Sequence, residues 1–135
     1  MSTPPSPSPD GPAGLLLSRD LIFTAKVTGT AHELGRRVLV AGTVSQASAM
    51  IEQWRPKIVF VDLTAGDLAG VPALRAYRQL AGPGTTFLAF GPHVEAEALA
   101  AAAAAGCDPV LPRSKFSATL PDLIQTFLPP DEASS

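Results

Sequence analysis

Asp62 stands at the end of Ile58-Val59-Phe60-Val61, an uninterrupted apolar run that closes on a carboxylate. Such a run suits a strand buried on both faces of a parallel sheet. A carboxylate cannot stay in that core, so Asp62 is expected where the strand leaves it. In open α/β sheets, ligand sites form at the carboxyl ends of the strands. The plainer alternative is that Asp62 only opens the next loop. His93 follows Phe90-Gly91-Pro92 and is placed at the same sheet edge. With no visible partner, it reads as a cap or surface residue rather than a base or ligand. Cys107, the one cysteine, excludes an internal disulfide, and no Cys and His cluster builds a zinc framework. It adjoins a helix end and reads as a small packing residue. Trp54 reads as core.

The elements that would position these residues alternate between strand and helix five times. Leu15-Leu16-Leu17 is the first strand, and Asp20 can cap the helix after it. Phe23, Val27, Ala31 and Leu34 share one face of that helix, and Gly35 can end it. Val38-Leu39-Val40 is the second strand. Thr43 and Gln46 have capping-box spacing for a helix with Ala47, Met50, Ile51 and Trp54 inward. After the strand that ends at Asp62, Pro72 suits the first turn of a third helix with Val71, Leu74 and Tyr77 inward. Phe87 to Phe90 is the fourth strand. A fourth helix runs from about Val94 to Ala105 and stops at Gly106. Val110-Leu111 is a short fifth strand. The last helix covers roughly Phe116 to Leu128 with Leu120, Leu123, Ile124 and Phe127 inward, which requires Pro121 in its first turn.

Five such units with short connections imply a parallel sheet covered on both faces. A Rossmann half would need a Gly-rich turn after the first strand. That turn is Ser18-Arg19-Asp20, without glycine. The expected fold is therefore α/β, flavodoxin-like (βα)5, a three-layer sandwich with parallel strand order 2-1-3-4-5. A chain of 135 residues, 46% apolar, supports one such domain, placed at residues 13–129. Residues 1–12 and 130–135 are Pro- and Ser-rich and read as disordered tails. A net charge of −2 leaves no basic footprint for nucleic acid or an anionic membrane. No apolar run approaches a membrane span and the start lacks a secretory pattern, so the expected location is the cytoplasm. With no further domain in the sequence, direct DNA binding is not expected.

Between about Gly14 and Leu128 the chain resembles the receiver domain of bacterial two-component response regulators. Pro56-Lys57-Ile58-Val59-Phe60-Val61-Asp62 looks like the approach to that family's phospho-accepting aspartate. Gly70 follows eight residues later, where the family has a loop glycine. Gly106-Cys107-Asp108 is similar to its Gly-Ala-Asp, and Leu111-Pro112-Arg113-Ser114 stands at its Lys-Pro segment.

The resemblance implies a site that departs from the family's. Receivers hold Mg²⁺ with two acidic residues after the first strand. An ungapped count from Glu33-Leu34-Gly35 puts Ser18 and Arg19 there, with Asp20 one place late. Gly91 stands for the family's hydroxyl residue, Arg113 for its lysine, and Ser114 for the proline. Only Asp62 matches by type. Asp62 with Arg19 and Arg113 makes a positive site, unsuited to hard Mg²⁺. The expectation is that one or both arginines hold Asp62 by charge-assisted hydrogen bonds. The pocket is then Ser18, Arg19, Asp20, Gly91, His93, Arg113 and Ser114 around the phosphoacceptor-equivalent Asp62, with no catalytic residue, metal or cofactor. This degenerate pseudo-receiver reading gives a non-enzymatic signalling or adaptor domain acting through protein contacts. Its alternatives are a response regulator phosphorylated on Asp62 by a histidine kinase, and a small anion- or ligand-binding protein. A cobalamin site would need an absent Asp-x-His-x-x-Gly, and a flavin site a Ser/Thr-rich loop of which only Ser18 is present. Ala98 and Ala100 to Ala105 give the fourth helix a small, uncharged outer face. Receivers often pair there, so a weak homodimer through helix four, strand five and helix five is expected.

Overall fold

The computed structural model describes residues 14–92 and 94–128. Both tails and His93 lie outside the described residues. Elements follow in the order β1 (Gly14–Leu17), α1 (Leu21–Glu33), β2 (Val38–Ala41), α2 (Val44–Trp54), β3 (Ile58–Asp62), a 3₁₀ turn (Gly66–Ala69), α3 (Val71–Ala81), β4 (Thr86–Gly91), α4 (Ala96–Ala104), β5 (Val110–Pro112) and α5 (Arg113–Phe127). The strands form one parallel sheet in the order β2-β1-β3-β4-β5. This is the expected flavodoxin-like fold.

Strand residues alternate between two cores, because successive side chains leave opposite faces. Leu15, Leu17, Val59, Val61, Phe87 and Ala89 face α2, α3 and α4, where they meet Ala47, Ile51, Leu74, Tyr77 and Ala102. Leu16, Ile58, Phe60, Leu88 and Phe90 face α1 and α5, against Phe23, Val27, Ala31, Phe116, Leu120 and Ile124. The second core is aromatic at its centre. Phe90 and Phe116 stack at 4.1 Å, and Phe23 lies 5.1 Å from Phe90. Every residue of β3 is buried, as its continuous apolar run requires.

Caps fix where the helices begin. Asp20 accepts a hydrogen bond from the Phe23 N–H at 3.0 Å and starts α1. Thr43 does the same for α2 through the Gln46 N–H. The Gln46 side chain reaches back to the Gly42 N–H, one residue before the position a strict capping box serves.

Three local expectations are corrected. Trp54 is half-buried rather than enclosed in the core, whereas Met50, also half-buried, packs against the first core as its spacing implies. α4 starts at Ala96, two residues after Val94, because Val94 and Glu95 form the turn before it. α5 starts at Arg113 directly after β5, three residues before Phe116, so Pro121 lies well inside the helix. The missing Pro121 N–H falls on an exposed position, where the cost of a broken ladder is smallest.

Candidate functional site

The parallel order brings the ends of β1, β3, β4 and β5 to one edge. Leu17 pairs with Val61, so Ser18 and Asp62 leave the sheet side by side. Asp62 is 1% exposed and Ser18 3%. The Ser18 hydroxyl donates to Asp62 Oδ2 at 2.8 Å. The Thr64 backbone N–H and hydroxyl donate to Asp62 Oδ1 at 3.0 and 2.7 Å. Ser18 Oγ in turn accepts from the Asp20 N–H at 3.2 Å. Asp62 is therefore a buried carboxylate whose two oxygens are both engaged by neutral donors. Such bonds offset the desolvation that burial imposes on it.

The arginines do not reach it. Arg19 donates from Nε to the Gly42 carbonyl at 2.8 Å and from Nη2 to Asp67 Oδ1 at 2.9 Å. Arg113 pairs with Asp20 Oδ2 at 3.2 Å, and its guanidinium lies 4.6 Å from the centre of the Phe23 ring. The expectation that Arg19 or Arg113 holds Asp62 is therefore overturned. Each arginine meets another carboxylate, and hydroxyls take the places at Asp62.

Asp20 does double duty. The Phe23 N–H it caps holds its carboxyl below the usual range; partial desolvation opposes this and Arg113 reinforces it. Gly91 is buried beside Leu63, and a Cβ there would lie 3.2 Å from Leu63 Cβ. Leu63 thus crowds the place where a side chain at position 91 would begin. Ser114 is exposed in the first turn of α5 and makes no hydrogen bond to this group among the described residues. Away from this edge, burial pushes the Cys107 thiol up to about 11, which fits a packing role.

Three contributors escaped the sequence reading. Thr64 carried a signal: an Asp followed two residues later by its hydrogen-bonding partner is a common turn pattern. Asp67 and Leu63 carried none, since their roles depend on how the loop after β3 folds back.

The donor set does not suit Mg²⁺. A hard cation takes carboxylate and carbonyl oxygens. Here a hydroxyl and a guanidinium follow β1, and the Asp20 carboxylate is committed to a helix cap and an arginine. Among the described residues, no three or more of His, Cys, Asp and Glu gather to hold a metal.

Solved structures of response regulators share this architecture. A response regulator from Hahella chejuensis matches with TM-score 0.73 at 14% identity, over 90% of this chain and 98% of that one. The receiver domain of NtrX from Brucella abortus matches with TM-score 0.72 at 19% identity, over 90% and 99%. The beryllofluoride-activated NtrC4 receiver domain dimer matches with TM-score 0.68 at 16% identity, over 84% and 97%. No family model and no curated protein sequence matches the chain. At these identities the likeness establishes the fold: this chain has the fold of response regulator receiver domains.

Proposed function

We propose that the chain is a receiver-like signalling or adaptor domain that acts through protein contacts, without Mg²⁺-dependent phosphorylation of Asp62. One observation carries this reading. Asp62 is buried with both oxygens bound to Ser18 and Thr64, inside the domain's own hydrogen bonding. Phosphoryl transfer to a carboxylate relies on positioning and on electrostatic stabilisation of the moving group. Ser18 and Arg19 supply no carboxylate for a cation, and Gly91 supplies no hydroxyl at the end of β4. The remaining role for Asp62 is to tie β1 to the loop after β3.

The proposed activity is non-enzymatic, the proposed location is the cytoplasm, and the proposed partner is a protein of a signalling pathway. Exposed alanines of α4 at positions 100, 103 and 104 favour self-association through α4, β5 and α5. The beryllofluoride-activated NtrC4 receiver domain, a neighbour of this fold, is a dimer.

The test is spectroscopic. Adding beryllofluoride with Mg²⁺ should leave the amide NMR spectrum unchanged. Shifts centred on Asp62, Thr64 and Gly91 would instead favour the second reading, a response regulator phosphorylated on Asp62. That reading draws on the location of Asp62 at the carboxyl end of the central strand.

A further inference from the structure

We infer that Arg19 is a built-in cation that clamps three loops of the site edge into one fixed arrangement. Arg19 is the second residue after β1. Its Nε donates to the Gly42 carbonyl in the loop after β2, and its Nη2 pairs with Asp67 in the turn after β3. One side chain thus joins the loops that follow three adjacent strands, β2, β1 and β3. The groups it bridges, a backbone carbonyl and a carboxylate, both accept from its N–H donors.

The loop beneath is shaped to receive it. Gly66 has φ +65°, a conformation that L side chains rarely adopt, and a Cβ there would lie 3.4 Å from Arg19 Nη1. Asp67, the next residue, turns its carboxylate to the same guanidinium. The Gly42 loop is braced from its other side, because the Gly42 N–H donates to Gln46. The planar fork of arginine can serve two acceptors in different directions, which a lysine ammonium does less well.

A guanidinium carried on the chain cannot dissociate as a free ion does. The clamp therefore presets the edge without metal or phosphate. For its functional meaning this inference rests on the reading of Asp62 as unphosphorylated. The Arg19–Asp67 pair is exposed, with the two side chains 46% and 76% accessible. Its effect on global stability is accordingly small, and local opening is the quantity to measure.

The experiment is amide hydrogen exchange on the full chain, followed at Gly42, Gln46, Ala65 and Gly70. These N–H groups are bonded to Gln46, Thr43, Asp62 and Asp67 respectively. In Arg19→Gln, exchange should rise by about fivefold in both the Gly42 loop and the Ala65 to Gly70 segment. Asp67→Asn should raise exchange in the second segment. The double variant should exchange no faster there than Arg19→Gln alone, because both changes break one interaction. Unchanged exchange in Arg19→Gln, or a rise confined to residues 18–22, would overturn the clamp. None of these outcomes depends on whether Asp62 accepts phosphate, which the beryllofluoride titration reads separately.

Discussion

Neutral donors hold Asp62: the Ser18 hydroxyl on one oxygen, and the Thr64 N–H and hydroxyl on the other. Two arginines and one aspartate in neighbouring loops suggest a charge-assisted pair, yet Arg19 meets Asp67 and Arg113 meets Asp20. Loop carboxylates within reach of each guanidinium decide the matter, and their positions cannot be read from strand register. What strand order does give is Ser18 beside Asp62, because the ends of β1 and β3 are neighbours. Asp62→Ala should cost about 1–3 kcal/mol in urea unfolding, since it leaves the buried Ser18 hydroxyl and the Thr64 N–H without their acceptor. Asp62→Asn keeps the shape and one acceptor oxygen, and should cost less. Equal stability of Asp62→Ala and the parent would contradict this role. Asp20 carries an acid sensitivity. Its folded pKa is lowered, chiefly by the Phe23 N–H, so its contribution is present above the unfolded value of 3.8 and is lost as pH falls through the folded value. Asp20→Asn retains a capping oxygen without the titration. Its unfolding midpoint should therefore fall less steeply below about pH 4 than that of the parent.

Strands and most helix faces were legible because period and burial agree. Phe23, Val27 and Ala31 on α1, and Leu74 and Tyr77 on α3, are buried where helical spacing puts them. The helix ends were less legible. From sequence, Pro121 reads as a first-turn residue of α5, because an interior proline breaks a backbone bond. The packing of Phe116 against Phe90 and Phe60 holds the helix on the sheet across that defect. The link between α3 and the 3₁₀ turn was not visible in sequence either. The Tyr77 hydroxyl donates to the Leu68 carbonyl at 2.8 Å in a buried setting, and burial pushes its pKa up to about 12. Because the raised value belongs to the folded form, this contribution is intact below the ordinary tyrosine value of 10. It is lost progressively between about pH 10 and 12. Tyr77→Phe should cost about 1–2 kcal/mol at neutral pH, by leaving the Leu68 carbonyl unpaired. It should also remove part of the alkaline loss of stability. A pH titration of the urea midpoint reads both effects, and identical alkaline profiles would contradict the assignment.

For the whole molecule, the two cores and the parallel order make one sheet edge the place where the loops after β1, β3 and β4 converge. The fold and this edge could be read from sequence; the hydrogen bonding at its centre could not. With only 16% charged residues, the surface opposes association weakly. If α4, β5 and α5 form the proposed dimer face, sedimentation should show a reversible monomer–dimer equilibrium at high micromolar concentration. Ala103→Glu should abolish it, whereas a monomer throughout would count against that face. Signal reception is the property that separates an adaptor from a response regulator, and phosphotransfer measures it. Incubation with acetyl phosphate and Mg²⁺ should leave the chain unmodified by intact-mass spectrometry, because Asp62 is committed to Ser18 and Thr64. A hydroxylamine-sensitive phosphoprotein that forms with the parent chain and is absent with Asp62→Asn would contradict this.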